Sequence, residues 1–325
     1  MSKSILIHET GGPEKMQLAD VEVGVPGAGE VKIRHTAIGL NFIDIYTRTG
    51  LYNTPLPNAV GREGAGVIVE VGPKVKGFRK GDHVAYSGVL GAYCQERVMG
   101  VGQLVKIPKG VSDEQAAAIM LKGMTVEYLL ERCAKPWLKR GDTILFHAAA
   151  GGVGLLFGQW AKALGYKVIG TTSSPEKAVL AGKNGYKWVI DYSKQDVVAE
   201  VKRITKGKGV PVVFDGVGKD TWDVSLDCLR SRGLLVSFGN ASGAVAPQSP
   251  AILGAKGALY LTRPSLAAYT ANRAELEASA RKLFRMVQTR KVKVAIDQRY
   301  PLADAAKAHV DLETRKTTGQ TVIVP

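Results

Sequence analysis

Six residues, Ala149-Ala150-Gly151-Gly152-Val153-Gly154, follow the apolar run Thr143 to His147 and precede a segment whose Leu156, Trp160, Ala163 and Leu164 recur at i, i+4, i+7 and i+8. Aligned on the pattern G-x-G-x-x-G, they carry alanine at the first glycine position. Glycines there let the backbone turn tightly and approach a pyrophosphate, whose charge is met by N–H groups at the start of the next helix. A glycine cluster alone can serve packing only. Here a strand-like run precedes it, Gly165 can close the helix, and a second apolar run, Lys167 to Thr171, follows in the order that dinucleotide binding needs.

The end of that second run sets the choice of dinucleotide. An Asp or Glu about 20 residues beyond the turn would accept hydrogen bonds from ribose hydroxyls and repel a 2′-phosphate. The count lands on Ser173, and no acid occurs between Tyr166 and Pro175. Ser173 and Ser174 can donate to a phosphate and Lys177 can supply charge, which favours NADP(H) over NAD(H). Ser174-Pro175 can also cap the following helix, and the two roles are compatible.

The elements that position these residues fall into three segments, 1–122, 123–264 and 265–325. The first holds short β-like runs, Val31 to His35, Gly66 to Val71 and His83 to Tyr86, separated by Gly72-Pro73, Gly77 and Gly81-Asp82. It reads as a compact, mostly β domain. From about Asp142 strands alternate with helices: Thr143 to His147, Lys167 to Thr171, Lys187 to Ile190, Val212 to Phe214, Leu234 to Phe238 and Ala258 to Leu261 are the apolar runs. That rhythm predicts a doubly wound parallel sheet of the Rossmann type, an α/β fold. The last segment carries a helical stretch, Ala271 to Arg290, and a closing strand, Thr321 to Val324; a single strand cannot form a core, so the tail is expected to return to the first domain.

Composition narrows the class. Cys94, Cys133 and Cys228 form no C-x-x-C pair, which argues against a disulfide framework and a zinc ribbon. The apolar run Ile144 to Trp160 is broken by His147, glycines and Gln159, and no leader-like stretch follows Met1; no membrane span and cytoplasmic residence are the expectations. A net charge of +15 attracts polyanions, but the lysines and arginines are scattered and make no basic stripe, so nucleic acid is not the expected partner.

Five stretches in order, Asn41-Phe-Ile-Asp-Ile-Tyr46, Gly61-Arg-Glu-Gly-Ala-Gly66, Leu121 to Thr125, His147 to Gly154 and Ser237-Phe-Gly-Asn240, resemble the zinc-free quinone oxidoreductase (zeta-crystallin-like) branch of the medium-chain dehydrogenase/reductase superfamily. The resemblance covers nearly the whole chain. It implies a GroES-like catalytic domain built from both chain ends, a Rossmann domain, a homodimer and NADPH as cofactor. Zinc-dependent members carry a Cys where Asn41 stands and a His where Arg62 stands, so no metal is implied. By motif position the cofactor contacts fall on Phe42, Ile43, Asp44, Ile45, Tyr46 and Tyr128, on Gly151, Gly152, Val153 and Gly154, and on Ser173, Ser174, Lys177 and Tyr192. Phe238, Gly239 and Asn240 are placed near the nicotinamide, with Arg263 and Arg315 as later contributors; Arg315 reads equally well as a surface charge.

The implied reaction is hydride transfer from nicotinamide C4 to a quinone, an acceptor already electrophilic enough to do without a metal. One-electron and two-electron delivery both stay open. Asn41, Tyr46 and Tyr52 are the candidates for binding or polarising the acceptor oxygen. Each has a plainer reading, Asn41 as a turn residue and the tyrosines as packing. Glu63 reads as support for the site floor and His147 as a packed histidine. The alternatives are reduction of α,β-unsaturated carbonyls, with Tyr46 or Tyr52 as proton source, and a non-catalytic RNA-binding or crystallin-like role.

Overall fold

The computed structural model describes residues 1–325 and divides the chain into two compact units. Unit 1 comprises Met1–Met124, Thr270–Gln288 and Val294–Pro325; unit 2 comprises Thr125–Tyr269 and Thr289–Lys293.

Unit 2 is built on six parallel strands in the order Tyr186–Asp191, Lys167–Thr172, Thr143–Phe146, Val210–Asp215, Leu229–Ser237 and Tyr260–Thr262. Numbered along the chain this is 3-2-1-4-5-6, the doubly wound Rossmann order. The order reverses between Thr143–Phe146 and Val210–Asp215, which pair through Leu145 with Val213 and Phe146 with Phe214. Ligands bind outside the carboxyl ends of strands at such a switch point. The sheet buries Leu145, Ile169, Ile190, Val213 and Leu235 against helical residues that include Leu226 and Trp222. The short segment Thr289–Lys293 joins this unit, where Lys293 exchanges two hydrogen bonds with Gln159 at 2.8 and 3.2 Å.

Unit 1 carries an antiparallel framework. Glu30–Gly39 pairs with Glu63–Val71, which pairs with His83–Ser87. The final strand, Gln320–Val324, lies against Glu30–Gly39 with Ile323 opposite Ile38, and Ile296–Pro301 runs parallel to it. Ser2–Ile7, Gln17–Val21 and Asn58–Ala59 form a separate small sheet. Ile7, Val31, Ile33, Ile68, Val84, Tyr86, Tyr93 and Ile323 fill the core, so both chain ends contribute to one domain.

Two helices, not read from the sequence, interrupt the β character of the first segment. Helix α1, Phe42–Thr49, starts at Asn41, whose backbone is extended (φ −140°, ψ 153°), and Gly50 closes it in the left-handed region at φ 82°. Helix α2, Asp113–Tyr128, is buried nearly all round: Ala116, Ala117, Ala118, Ile119 and Met120 are each fully buried. A helix with no polar face shows no 3.6-residue alternation, which is why the pattern is silent there.

Candidate active site

The glycine turn of unit 2 is shaped by close approach. Helix α3, Gly152–Ala163, begins after Gly151, which caps it without a side chain. A Cβ on Gly154 would stand 2.5 Å from the Ala149 carbonyl oxygen and 2.6 Å from that of Ala148, and Ala148 itself has φ 57°. The turn is therefore drawn so tight that only glycine fits at Gly154. Gly151, Gly152, Val153 and Gly154 thus present the first turn of α3, with its positive dipole end and no capping side chain, at the switch point of the sheet.

Helix α4, Pro175–Lys183, follows the next strand. The Ser174 hydroxyl accepts the Lys177 N–H at 3.3 Å and caps the helix. The same hydroxyl also donates to the Glu176 carboxylate, and that second bond is the first cause holding Glu176 below its usual range. Glu176 is a negative charge one residue beyond the acid-free stretch from Tyr166 to Pro175. Ser173, Ser174 and Lys177 lie together at the strand-to-helix turn, and Tyr192 follows Tyr186–Asp191 with 45% exposure, its N–H donating to the Thr172 carbonyl at 3.0 Å.

A second loop is fixed by Asp215, which is buried at the end of its strand. Its carboxylate accepts the N–H groups of Val217 (2.8 Å) and Gly218 (3.0 Å) and the hydroxyls of Thr221 (2.8 Å) and Ser225 (2.7 Å). The loop so held meets the one after Leu229–Ser237: a Cβ on Gly239 would lie 2.3 Å from the Gly216 oxygen. Phe238 packs against Phe146 at 5.8 Å. Arg263 donates to the Gly239 carbonyl at 3.0 Å, and with the Asn240 amide turned to match its neighbours it also donates to the Asn240 side-chain oxygen at 3.0 Å. Phe238, Gly239, Asn240 and Arg263 are therefore one cluster. Asp215 was not anticipated, though Asp-Gly-x-Gly after an apolar run is its signal. Tyr128 is 2% exposed and stacks on Tyr269 at 4.6 Å. His147 is buried, with its Nδ1 3.0 Å from the Thr171 hydroxyl; burial lowers its pKa.

In unit 1, α1 carries Phe42, Ile43, Asp44, Ile45 and Tyr46. Tyr46 stands edge-on to Tyr52 at 5.2 Å and tilted against Phe42 at 6.3 Å, so these three rings form one aromatic group. Asn41 turns its amide inward, donating to Glu63 Oε2 at 2.8 Å and lying 3.5 Å from the Gly39 carbonyl. Glu63 is fully buried, accepts the Leu121 N–H at 2.6 Å and pairs with Lys122 at 3.5 Å; burial raises its pKa against the pull of Lys122. The Asp44 carboxylate is also buried, accepting the N–H of Asn41 at 2.9 Å and the hydroxyl of Tyr93 at 3.1 Å. Arg315 is exposed after the helix Ala305–Glu313, with φ 60°. A groove elsewhere in unit 1, lined by Lys76, Phe78, Lys106, Arg273 and Arg281, includes none of these residues.

A GroES-like unit together with a Rossmann unit whose glycine turn meets a helix start defines the class: medium-chain dehydrogenases and reductases that bind a dinucleotide. Two family models agree, "Alcohol dehydrogenase GroES-like domain" over residues 27–132 and "Zinc-binding dehydrogenase" over residues 152–283. The chain is 52% identical to a quinone oxidoreductase of Pseudomonas aeruginosa, with all of both chains covered. It is 44% identical to a 2-haloacrylate reductase of a Burkholderia species, covering 100% of this chain and 99% of that one. A crystal structure of Escherichia coli quinone oxidoreductase complexed with NADPH superposes with a TM-score of 0.97 at 46% identity, covering 99% of this chain and 100% of that one. The chain belongs to the quinone oxidoreductase family. The zinc of the second family description finds no ligand set here, since no three His, Cys, Asp or Glu side chains are grouped to hold a metal ion.

Proposed function

We propose that this protein is an NADPH-dependent, zinc-independent reductase of quinones. The observation that carries the reading is the cradle at Gly154, which a single Cβ would fill, followed by a strand end that offers Ser173, Ser174 and Lys177 in place of a ribose-binding acid. The glycine cradle fits a pyrophosphate, and Gly151, Gly152, Val153 and Gly154 would hold it. Lys177 with Ser173 would take the 2′-phosphate; Glu176 opposes it and sets how large a preference Lys177 must supply. NADPH, when bound, supplies the hydride. The E. coli relative is complexed with the same cofactor in its crystal structure.

The chain's own residues orient and desolvate. The Phe42, Tyr46 and Tyr52 rings make an apolar wall with two hydroxyls, and those hydroxyls can donate to an acceptor oxygen as charge builds on it. Asn41 reads best as the link between that wall and Glu63, because its amide hydrogens point inward. Phe238, Gly239, Asn240 and Arg263 would fix the nicotinamide end, and Arg315 adds charge for the phosphates.

The 44% identical 2-haloacrylate reductase supports a second reading, reduction of an activated carbon–carbon double bond. There a hydride reaches the β-carbon and a proton the α-carbon, which asks more of Tyr46 or Tyr52 as a proton source. Oxidation of NADPH by 1,4-benzoquinone, 9,10-phenanthrenequinone and 2-chloroacrylate in parallel separates the two.

A homodimer and cytoplasmic residence complete the proposal. The edge strand Tyr260–Thr262 supports the first: Tyr260 and Leu261 are 51% and 44% exposed beside an unpaired backbone edge. No helix is long and apolar enough to cross a membrane.

A further inference from the structure

A buried chain of hydrogen bonds in unit 1 has no part in the reading above. Arg48, on α1, is 1% exposed and donates to Glu313 Oε1 at 2.8 Å, to the Gly11 carbonyl at 3.1 Å and to His309 Nδ1 at 3.2 Å. A guanidinium keeps its protons and only donates, so Nδ1 of His309 accepts and the imidazole proton sits on Nε2. Nε2 lies 3.1 Å from the Tyr93 hydroxyl oxygen and donates to it. That leaves the Tyr93 O–H to donate to Asp44 Oδ2, 3.1 Å away. The direction is therefore fixed throughout: Arg48 to His309 to Tyr93 to Asp44.

The same direction rules out a proton wire. Passing a proton inward to Asp44 would strip His309, and Arg48, the next donor, does not release its own. What the chain can do is hold a charge and an orientation. Asp44 Oδ2 receives both Tyr93 and the Asn41 N–H, whereas Asp44 Oδ1 is buried with no partner. A neutral carboxyl on Asp44, two residues before Tyr46, would weaken the bond it accepts from the Asn41 N–H at the start of α1.

We infer that Tyr93 and His309 are positioning residues, which keep Asp44 ionised at the start of α1 and thereby hold Asn41 and Tyr46 in their working arrangement. This rests on the reading that Tyr46 and its neighbours meet the acceptor. The balance they tip is close. With all its neighbours in place Asp44 stands at about 7: burial raises it most, the Asn41 and Tyr93 donors pull it down, Glu63 raises it and Lys122 lowers it. His309 stays neutral, driven down to about 3 by burial and then by Arg48. The groups around Asp44 are thus Asn41 just before α1, Arg48 on α1, Glu63 with Lys122 paired to it, Tyr93, and His309 behind Tyr93.

The test uses the full-length protein and compares wild type with Tyr93→Phe, His309→Leu and His309→Gln. The pH dependence of kcat with 1,4-benzoquinone is measured beside the infrared carboxyl band that Asp44→Asn removes. Tyr93→Phe and His309→Leu should raise the midpoint of the acid limb, and of the Asp44 band, by about one unit, a tenfold loss on the acid side that disappears at high pH. His309→Gln can accept from Arg48 and donate to Tyr93, so it should keep both wild-type midpoints. An unmoved acid limb in Tyr93→Phe, or His309→Gln behaving as His309→Leu, overturns the inference. Should His309→Leu not fold, Tyr93→Phe decides, since it keeps the ring. Failure of the functional reading looks different: wild-type protein would not reduce the quinone, while the Asp44 band would still move.

Discussion

Gly154→Ala puts the cofactor reading at risk in one atom. The added Cβ would meet two backbone oxygens at 2.5 and 2.6 Å, where ordinary contact begins at 3.4 Å. Neither oxygen is at the end of a flexible side chain, so the turn from Ala148 to Gly154 must open by about 0.9 Å, a shift on the scale at which misplacement costs about a hundredfold in rate. Ala148 is already in the left-handed region, which leaves the turn little freedom to absorb the change. Overpacking of this kind costs about 1–3 kcal/mol. If the strain is relieved by displacing the N–H groups at the start of α3, the same range appears as roughly a 5- to 150-fold weaker dinucleotide complex. The assay is NADPH and NADH binding by fluorescence, with thermal unfolding of the free protein alongside. Both dinucleotides should weaken by the same factor, because the pyrophosphate is common to them. Gly182→Ala in α4 is the control; nothing lies within 4 Å of its added Cβ, so it should bind normally and gain about 0.5–1 kcal/mol in stability. A folded Gly154→Ala protein that binds both dinucleotides as wild type does would refute the cradle.

Three further outcomes are expected. Lys177→Ala should weaken NADPH by about 10- to 150-fold, the worth of a charge-assisted hydrogen bond of about 1.5–3 kcal/mol, and leave NADH untouched; equal losses for both would move the 2′-phosphate elsewhere. Tyr46→Phe and Tyr52→Phe should lower kcat with quinone by about tenfold or more while the rings go on packing, and unchanged turnover in both would leave the hydroxyls without a role. The Asp44 carboxyl, raised from 3.8 to about 7 when folded, binds its proton more tightly in the native than in the unfolded chain. Stability should therefore fall as pH rises across that interval, by about 1.4 kcal/mol per unit, and level off above it; Asp44→Asn should flatten this slope in denaturant titrations, and an unaltered slope would contradict it.

Much of unit 2 was legible because each of its signals is local. Apolar runs for buried parallel strands, a glycine turn and an amphipathic α3 can each be read within a few residues, and the strand Lys167–Thr172 is one residue longer than the run that marks it. The last strand is the exception there: the run Ala258 to Leu261 overlaps Tyr260–Thr262, with Ala258 instead in a left-handed turn at φ 54°. Unit 1 was legible in its strands but not in α1, whose eight residues are short and mix Asp44 and Arg48 into a buried face. Those two polar residues are buried because partners about 50 and 260 residues away, Tyr93 and His309, complete their hydrogen bonds. No periodicity records a pairing at that separation. The same holds for Asn41, where type and family position suggest a donor to substrate but the buried Glu63 claims the amide.

Metal-free reduction of a quinone by NADPH is the reaction proposed for this chain. The most direct measurement is NADPH oxidation by 1,4-benzoquinone after exhaustive chelation, with hydroquinone quantified and NADH run in parallel. Full turnover after chelation, one hydroquinone for each NADPH consumed at saturating quinone, and a clear preference for NADPH are the expected results. Absence of turnover, activity restored only by zinc, or a preference for NADH would contradict it.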